Sequence, residues 1–109
     1  MNEYKTIMTR LFCRRGYAYM FFGRVIIHPE SPGYLVPHEI VHVDQAERIG
    51  MLRWYWRYFT DSTFRLAAEV EAHKAAIRAG QPNWQAAQQL WTNYGLSLSY
   101  NEVLRMLDS

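Results

Sequence analysis

The stretch VPHEIVHVDQAERIG, residues 36–50, decides how the chain is read. Two histidines, His38 and His42, stand four apart, Glu39 follows the first, and Pro37 and Gly50 bracket the run. Proline suits the first helical position and glycine the position just past the last, so the bracket predicts a helix over 37–49. On a helix, residues four apart share one side, with Cβ atoms about 5–6 Å from each other. Two imidazole nitrogens at that spacing can reach one ion, with bonds of about 2.0–2.1 Å. Glu39 is turned off that line, placed to touch a water on such an ion without binding the ion itself. The pattern is H-E-x-x-H.

At 100° per residue, His38, His42, Gln45 and Ile49 fall on one stripe. Asp44, Glu47 and Arg48 gather on the opposite side, with Ile40 the exception among them. The charged side faces water, so the histidine stripe faces inward. Two inert core histidines are the plain alternative, but burying two imidazoles requires hydrogen-bond partners for both. A catalytic zinc site takes three protein ligands and keeps one position open. The extended motif with a third histidine is excluded, because Gln45 stands where its glycine belongs and Arg48 where its histidine belongs. Downstream, LAAEVEAHKAAIRAG (66–80) offers two glutamates. Glu71 shares a side with Lys74 and Arg78, a solvated face with an ordinary ion pair. Glu69 shares its side with Leu66, Val70, His73 and Ile77, where a lone carboxylate is costly. A divalent cation would neutralise it, and so would Arg53 or Arg57.

The rest of the chain supplies a setting. Residues 17–28, YAYMFFGRVIIH, are aromatic and β-branched and predict two short strands or a bent hairpin. PESPG at 29–33 is a loop. Helices are expected over 51–60, 64–79 and 83–93, the last ending near Gly95, and over 100–107, where Ser99 and Glu102 form a capping box. The expectation is one α+β domain over 1–109, a small N-terminal β-hairpin or sheet packed on four to five helices. At 109 residues, half of them hydrophobic, the chain can bury a core without staples. Cys13 is the single cysteine, so no disulfide framework exists. The N-terminus has no apolar signal region, and no apolar run approaches spanning length. A soluble, cytoplasmic protein without membrane contact is expected.

The pair HEIVHVDQAERIG and AAEVEAH resembles the gluzincin branch of zinc metallopeptidases, particularly its minimal single-domain members. The resemblance covers residues 24–79 and implies a zincin-like minimal core, Zn²⁺ as cofactor and a peptide or protein substrate. It implies His38, His42 and Glu69 as metal ligands and Glu39 as general base. It also implies that RVIIH (24–28) is the edge strand along which an extended peptide lies. One departure stands out. Larger gluzincins often carry an acid four residues after the ligand glutamate, where it orients the first histidine. Here that position is His73, which implies altered support and weaker zinc binding or activity. An oxyanion donor is needed as well; Tyr55, Tyr58, His73, Tyr94 and Arg65 qualify, and the sequence does not choose. Gln45 is expected to support a ligand, to touch substrate or simply to pack, and His28 to end a strand.

Two rivals follow from other residues. A metal can hold two helices together without catalysis, although Glu39 is then superfluous, and such sites are usually closed and cysteine-rich. RWYWRYF, 53–59, interleaves Arg53 and Arg57 with five aromatics, a composition that can bind single-stranded nucleic acid. The formal charge of +2, twelve basic against ten acidic residues, argues against nucleic acid. The segment 51–60 is expected instead to serve as core or as a contact for another chain, by self-association or with a protein partner.

Overall fold

The structure is a computed structural model that describes residues 5–11, 13–94 and 98–108, without the side chains of Lys5 and Tyr94. Three short strands, β1 (Lys5–Met8), β2 (Ala18–Phe21) and β3 (Arg24–Ile27), precede five helices: α1 (Leu35–Ile49), α2 (Met51–Thr60), α3 (Ser62–Arg78), α4 (Asn83–Tyr94) and α5 (Tyr100–Asp108). This is the expected α+β arrangement, a small N-terminal sheet on a helical bundle.

The sheet order is β1-β3-β2, with β1 parallel and β2 antiparallel to β3. The two-residue turn between β2 and β3 is Phe22-Gly23, both at positive φ (45° and 85°) and closed by the Phe21–Arg24 pair. That is a type I′ hairpin, whose twist matches its strands. RVIIH is therefore not an edge strand: β3 is the central strand, paired on both sides, and the edges are β1 and β2. Residues 5–8 supply its parallel neighbour, and β3 carries the buried Val25, Ile26 and Ile27.

Helix α1 begins two residues before Pro37. The first turn of a helix has no intrahelical use for its N–H groups, so proline fits its third position as well as its first. Gly50 ends α1 at φ 99°, ψ 134°, donates its N–H to the Ala46 carbonyl (2.8 Å) and accepts from Trp54 N–H (2.9 Å). One residue thus turns the chain, and α2 runs back over α1. Asp61 caps α3 by accepting from Phe64 N–H (3.1 Å), which starts that helix at Ser62. The capping box of α5 forms in both directions, Ser99 N–H to Glu102 (3.3 Å) and Glu102 N–H to Ser99 (3.2 Å). The expected stop at Gly95 lies outside the described residues.

Two apolar clusters divide the molecule. Met20, Val25, Val43, Ala46 and Trp54 join the sheet, α1 and α2. Ala86, Ala87, Leu90, Val103 and Leu107 join α4 and α5, with Leu66, Val70 and Ile77 of α3 packed against them. Helices α1 and α3 pack against each other, and both carry buried small side chains, Ala46 on α1 and Ala68, Ala72 and Ala76 on α3. Small residues let the backbones approach, which brings the polar groups of both helices within reach. No helix among the described residues is long and apolar enough to cross a membrane.

Candidate metal centre

His38, Glu39, His42 and Gln45 are all buried, as the α1 stripe requires. From α3, Glu69 and His73 point back at them. The Glu69 carboxylate is the meeting point: its Oε2 lies 3.2 Å from His38 Nε2 and 3.9 Å from His73 Nε2, and its Oε1 lies 3.0 Å from His42 Nε2. Tyr58 donates its hydroxyl to Oε1 at short range. Neither arginine weighed as a partner for Glu69 takes that place; Arg57 sits over the Phe64 ring, 4.6 Å from its centroid, and Arg53 is exposed. Glu71 is solvated as expected and pairs with Arg48 of α1 (3.1 Å).

The hydrogen bonds behind the imidazoles fix their chemistry. Trp54 Nε1–H can only donate, and it donates to Gln45 Oε1 at 3.2 Å. The other end of that amide donates to the Ala68 carbonyl, 3.2 Å away. Gln45 is thereby oriented without ambiguity, and its Oε1, 3.0 Å from His42 Nδ1, must accept a proton from that ring. A neutral His42 then carries its lone pair on Nε2, aimed at Glu69. His73 is held the same way, with Nδ1 donating to Gln81 Oε1 at 3.1 Å. His38 differs, because its Nδ1 is buried and has no partner among the described residues. His73 does not supply one; it packs edge-on against the His38 ring, with centroids 4.5 Å apart.

The charges respond to this crowding. Burial works to raise the Glu69 pKa, yet hydrogen bonds and charge from His38 and His42 hold the carboxyl far below the usual range. Burial works to lower the His42 pKa, and Glu69 more than offsets it, leaving the ring above its ordinary value. His73 is pushed down to about 4, by burial first and the neighbouring His38 second. Burial raises the Glu39 carboxyl, against the influence of both motif histidines and of the Met20 N–H bond it accepts.

Lone pairs of neutral imidazoles converging on a carboxylate repel it unless a cation lies between them. A proton on His42 is one solution and a metal ion is the other. Donors around a tetrahedral ion with bonds of about 2.0–2.1 Å are about 3.3 Å apart, and the 3.0 and 3.2 Å separations to Glu69 are close to that. His38, Glu69 and His73 offer donor atoms that all lie within 4.8 Å of one another. These three side chains can therefore bind a metal ion and their donor chemistry fits the role; His42 is not one of the three, its Nε2 facing the other Glu69 oxygen.

A cleft of about 770 Å³ opens onto it, lined by Ala18, His38, Glu39, Tyr58, Arg65 and Glu69 among others. A smaller pocket of about 200 Å³ reaches Glu39, His42 and Glu69 from the side of Met20 and Tyr55. Of the residues weighed as oxyanion donors, Tyr58 and Arg65 line the larger cleft. Tyr55 donates instead to the Met20 carbonyl (3.2 Å), and the side chain of Tyr94 lies outside the described residues. His73 faces the cleft with its acceptor nitrogen and has spent its N–H on Gln81, so it is not a donor to an oxyanion. His28 ends β3, and its Nδ1 accepts from Glu30 N–H (3.0 Å). Gln81 was invisible to sequence reasoning: it follows Gly80 in a turn, and nothing in its neighbourhood marks a histidine partner.

No family model matches the chain, and neither a curated protein nor a solved structure matches it.

Proposed function

We propose that the protein is a zinc-dependent metallopeptidase of the minimal gluzincin type. The observation that carries this reading is the convergence of Glu69, from a second helix, on the two histidines of H-E-x-x-H, with Glu39 beside them in an open cleft. His38, His42 and Glu69 would hold the ion. When bound, zinc supplies Lewis acidity that lowers the pKa of a water and polarises a carbonyl. The Glu39 carboxylate takes the proton of the attacking water and returns it to the departing amine. Arg65, which lines the same cleft, is the candidate donor to the oxyanion, since Tyr58 gives its hydroxyl proton to Glu69.

An extended peptide would lie along β2, the edge strand beside the cleft. The His28 N–H bond to the Tyr17 carbonyl (3.4 Å) and the register of β2 on β3 turn Tyr17, Tyr19 and Phe21 toward β3. Ala18 and Met20 then present their backbone groups to the free edge. Both groups of Met20 are taken, its carbonyl by Tyr55 and its N–H by Glu39. The Ala18 end is where a peptide would pair.

Digestion of a peptide library with and without a chelator tests the reading. Cleavage is expected in the zinc-loaded protein and lost with the metal. Glu39→Gln should keep its zinc and lose about a hundredfold or more in rate. Cleavage that survives chelation, or survives Glu39→Gln, contradicts it. A metal that only ties α1 to α3 is the second reading, and one observation favours it: His73 offers the ion a further donor.

A further inference from the structure

We propose that His73 is itself a metal ligand, so that the resting centre is closed by four side chains: His38, His42, Glu69 and His73. The proposal rests on the metal-binding reading above and adds to it a built-in restraint on the open position.

Three observations carry it. His73 lies one helical turn after Glu69, and its Nε2 stands 3.9 Å from Glu69 Oε2 and within 4.8 Å of a His38 donor. The ring is clamped from behind by a chain of side chains from separate elements. Tyr34 donates to Gln85 Oε1 (2.7 Å), Gln81 donates to the same oxygen (3.4 Å), and Gln81 Oε1 accepts from His73 Nδ1 (3.1 Å). This repeats on α3 what Gln45 does for His42 on α1, and in both cases it leaves an Nε2 lone pair facing the carboxylate. Other roles for His73 fail on geometry. It does not orient His38, whose Nδ1 has no partner among the described residues, and its single N–H is already engaged away from the cleft.

Three nitrogens and one oxygen complete a tetrahedral zinc site. A catalytic centre needs a vacancy, so a water or a substrate carbonyl must displace His73 or join as a fifth ligand. The Gln81–Gln85–Tyr34 chain is the spring against which the ring would swing away.

X-ray absorption of the zinc-loaded wild-type protein counts the imidazoles directly and needs no variant. Three are expected; two would overturn the proposal while leaving the metal reading intact. A wild-type protein that takes up no zinc would overturn both. In His73→Ala the count should fall to two. Its zinc affinity should drop by more than the roughly 100-fold that losing an outer partner of a ligand costs, measured by competition with a chelator. A smaller drop, with the imidazole count unchanged, would assign His73 to packing alone.

Discussion

Gln45 is the side chain on which the chemistry of His42 rests. Its amide satisfies the His42 ring, the Trp54 indole and the Ala68 carbonyl at once, all of them buried. Gln45→Leu should therefore cost on the order of 3 kcal/mol in chemical denaturation, because it leaves several buried groups short of a partner. It should also weaken zinc binding about 10–100-fold. A neutral effect on both would mean the network is ornamental. A second expectation concerns pH. The His42 pKa is raised in the folded, metal-free protein, so its proton stabilises the fold fully below the ordinary value of 6.5. That contribution is lost as pH rises through the raised value, where a metal ion would replace the proton. The rise in thermal midpoint on adding zinc should thus be larger at about pH 8 than at about pH 6. Equal increments would show that the ion does not compete for this ring. At this scale much was legible. That His38 and His42 share the inward side of α1 follows from spacing, and that Glu69 turns inward follows from its place on an apolar face. What His73 faces was not legible, because Gln81 reaches it through a turn that no periodicity describes.

Helix limits were readable where local chemistry sets them. Gly50 marks the end of α1, and Ser99 with Glu102 marks the start of α5. The sheet was less readable, since strand order is a tertiary property. Lys5–Met8 is only four residues long, and nothing local shows that it would cover β3 and displace it from the edge. The hairpin over 17–28 was readable, although its turn puts Phe22 at positive φ, where a bulky residue is rare. Phe22 keeps its place against Tyr55 and Phe21, with centroids 5.5 and 4.9 Å away. Gly50 allows a sharper test. A Cβ there meets nothing within 4 Å, yet the backbone sits at φ 99°. Gly50→Ala should cost about 1–3 kcal/mol, all of it from backbone strain. A smaller loss in a urea titration would mean that α1 and α2 can join through another conformation.

Across the whole molecule, the aromatic segment 51–60 divides its work. Trp54 is 3% exposed and stacks on Tyr58 (4.7 Å between centroids), which in turn holds Glu69. Leu52, Trp56 and Phe59 face outward at 78%, 72% and 69% exposure. The expectation of core is thus met on one side of α2. Trp54→Ala should cost about 3–5 kcal/mol, and Trp56→Ala about 0.5 kcal/mol or less, compared by thermal melts of the two variants. Similar losses would mean that the outer face is covered in solution. One apolar cluster packs on α1 and the other on α3, and the histidine–glutamate cluster lies on the seam where these two helices meet. The account stands on that seam binding one divalent ion. Metal analysis after equilibration with zinc tests it most directly: about one ion per chain is predicted for the wild type and almost none for Glu69→Ala or His42→Ala. Equal zinc in the wild type and both variants, or none in the wild type, would contradict it.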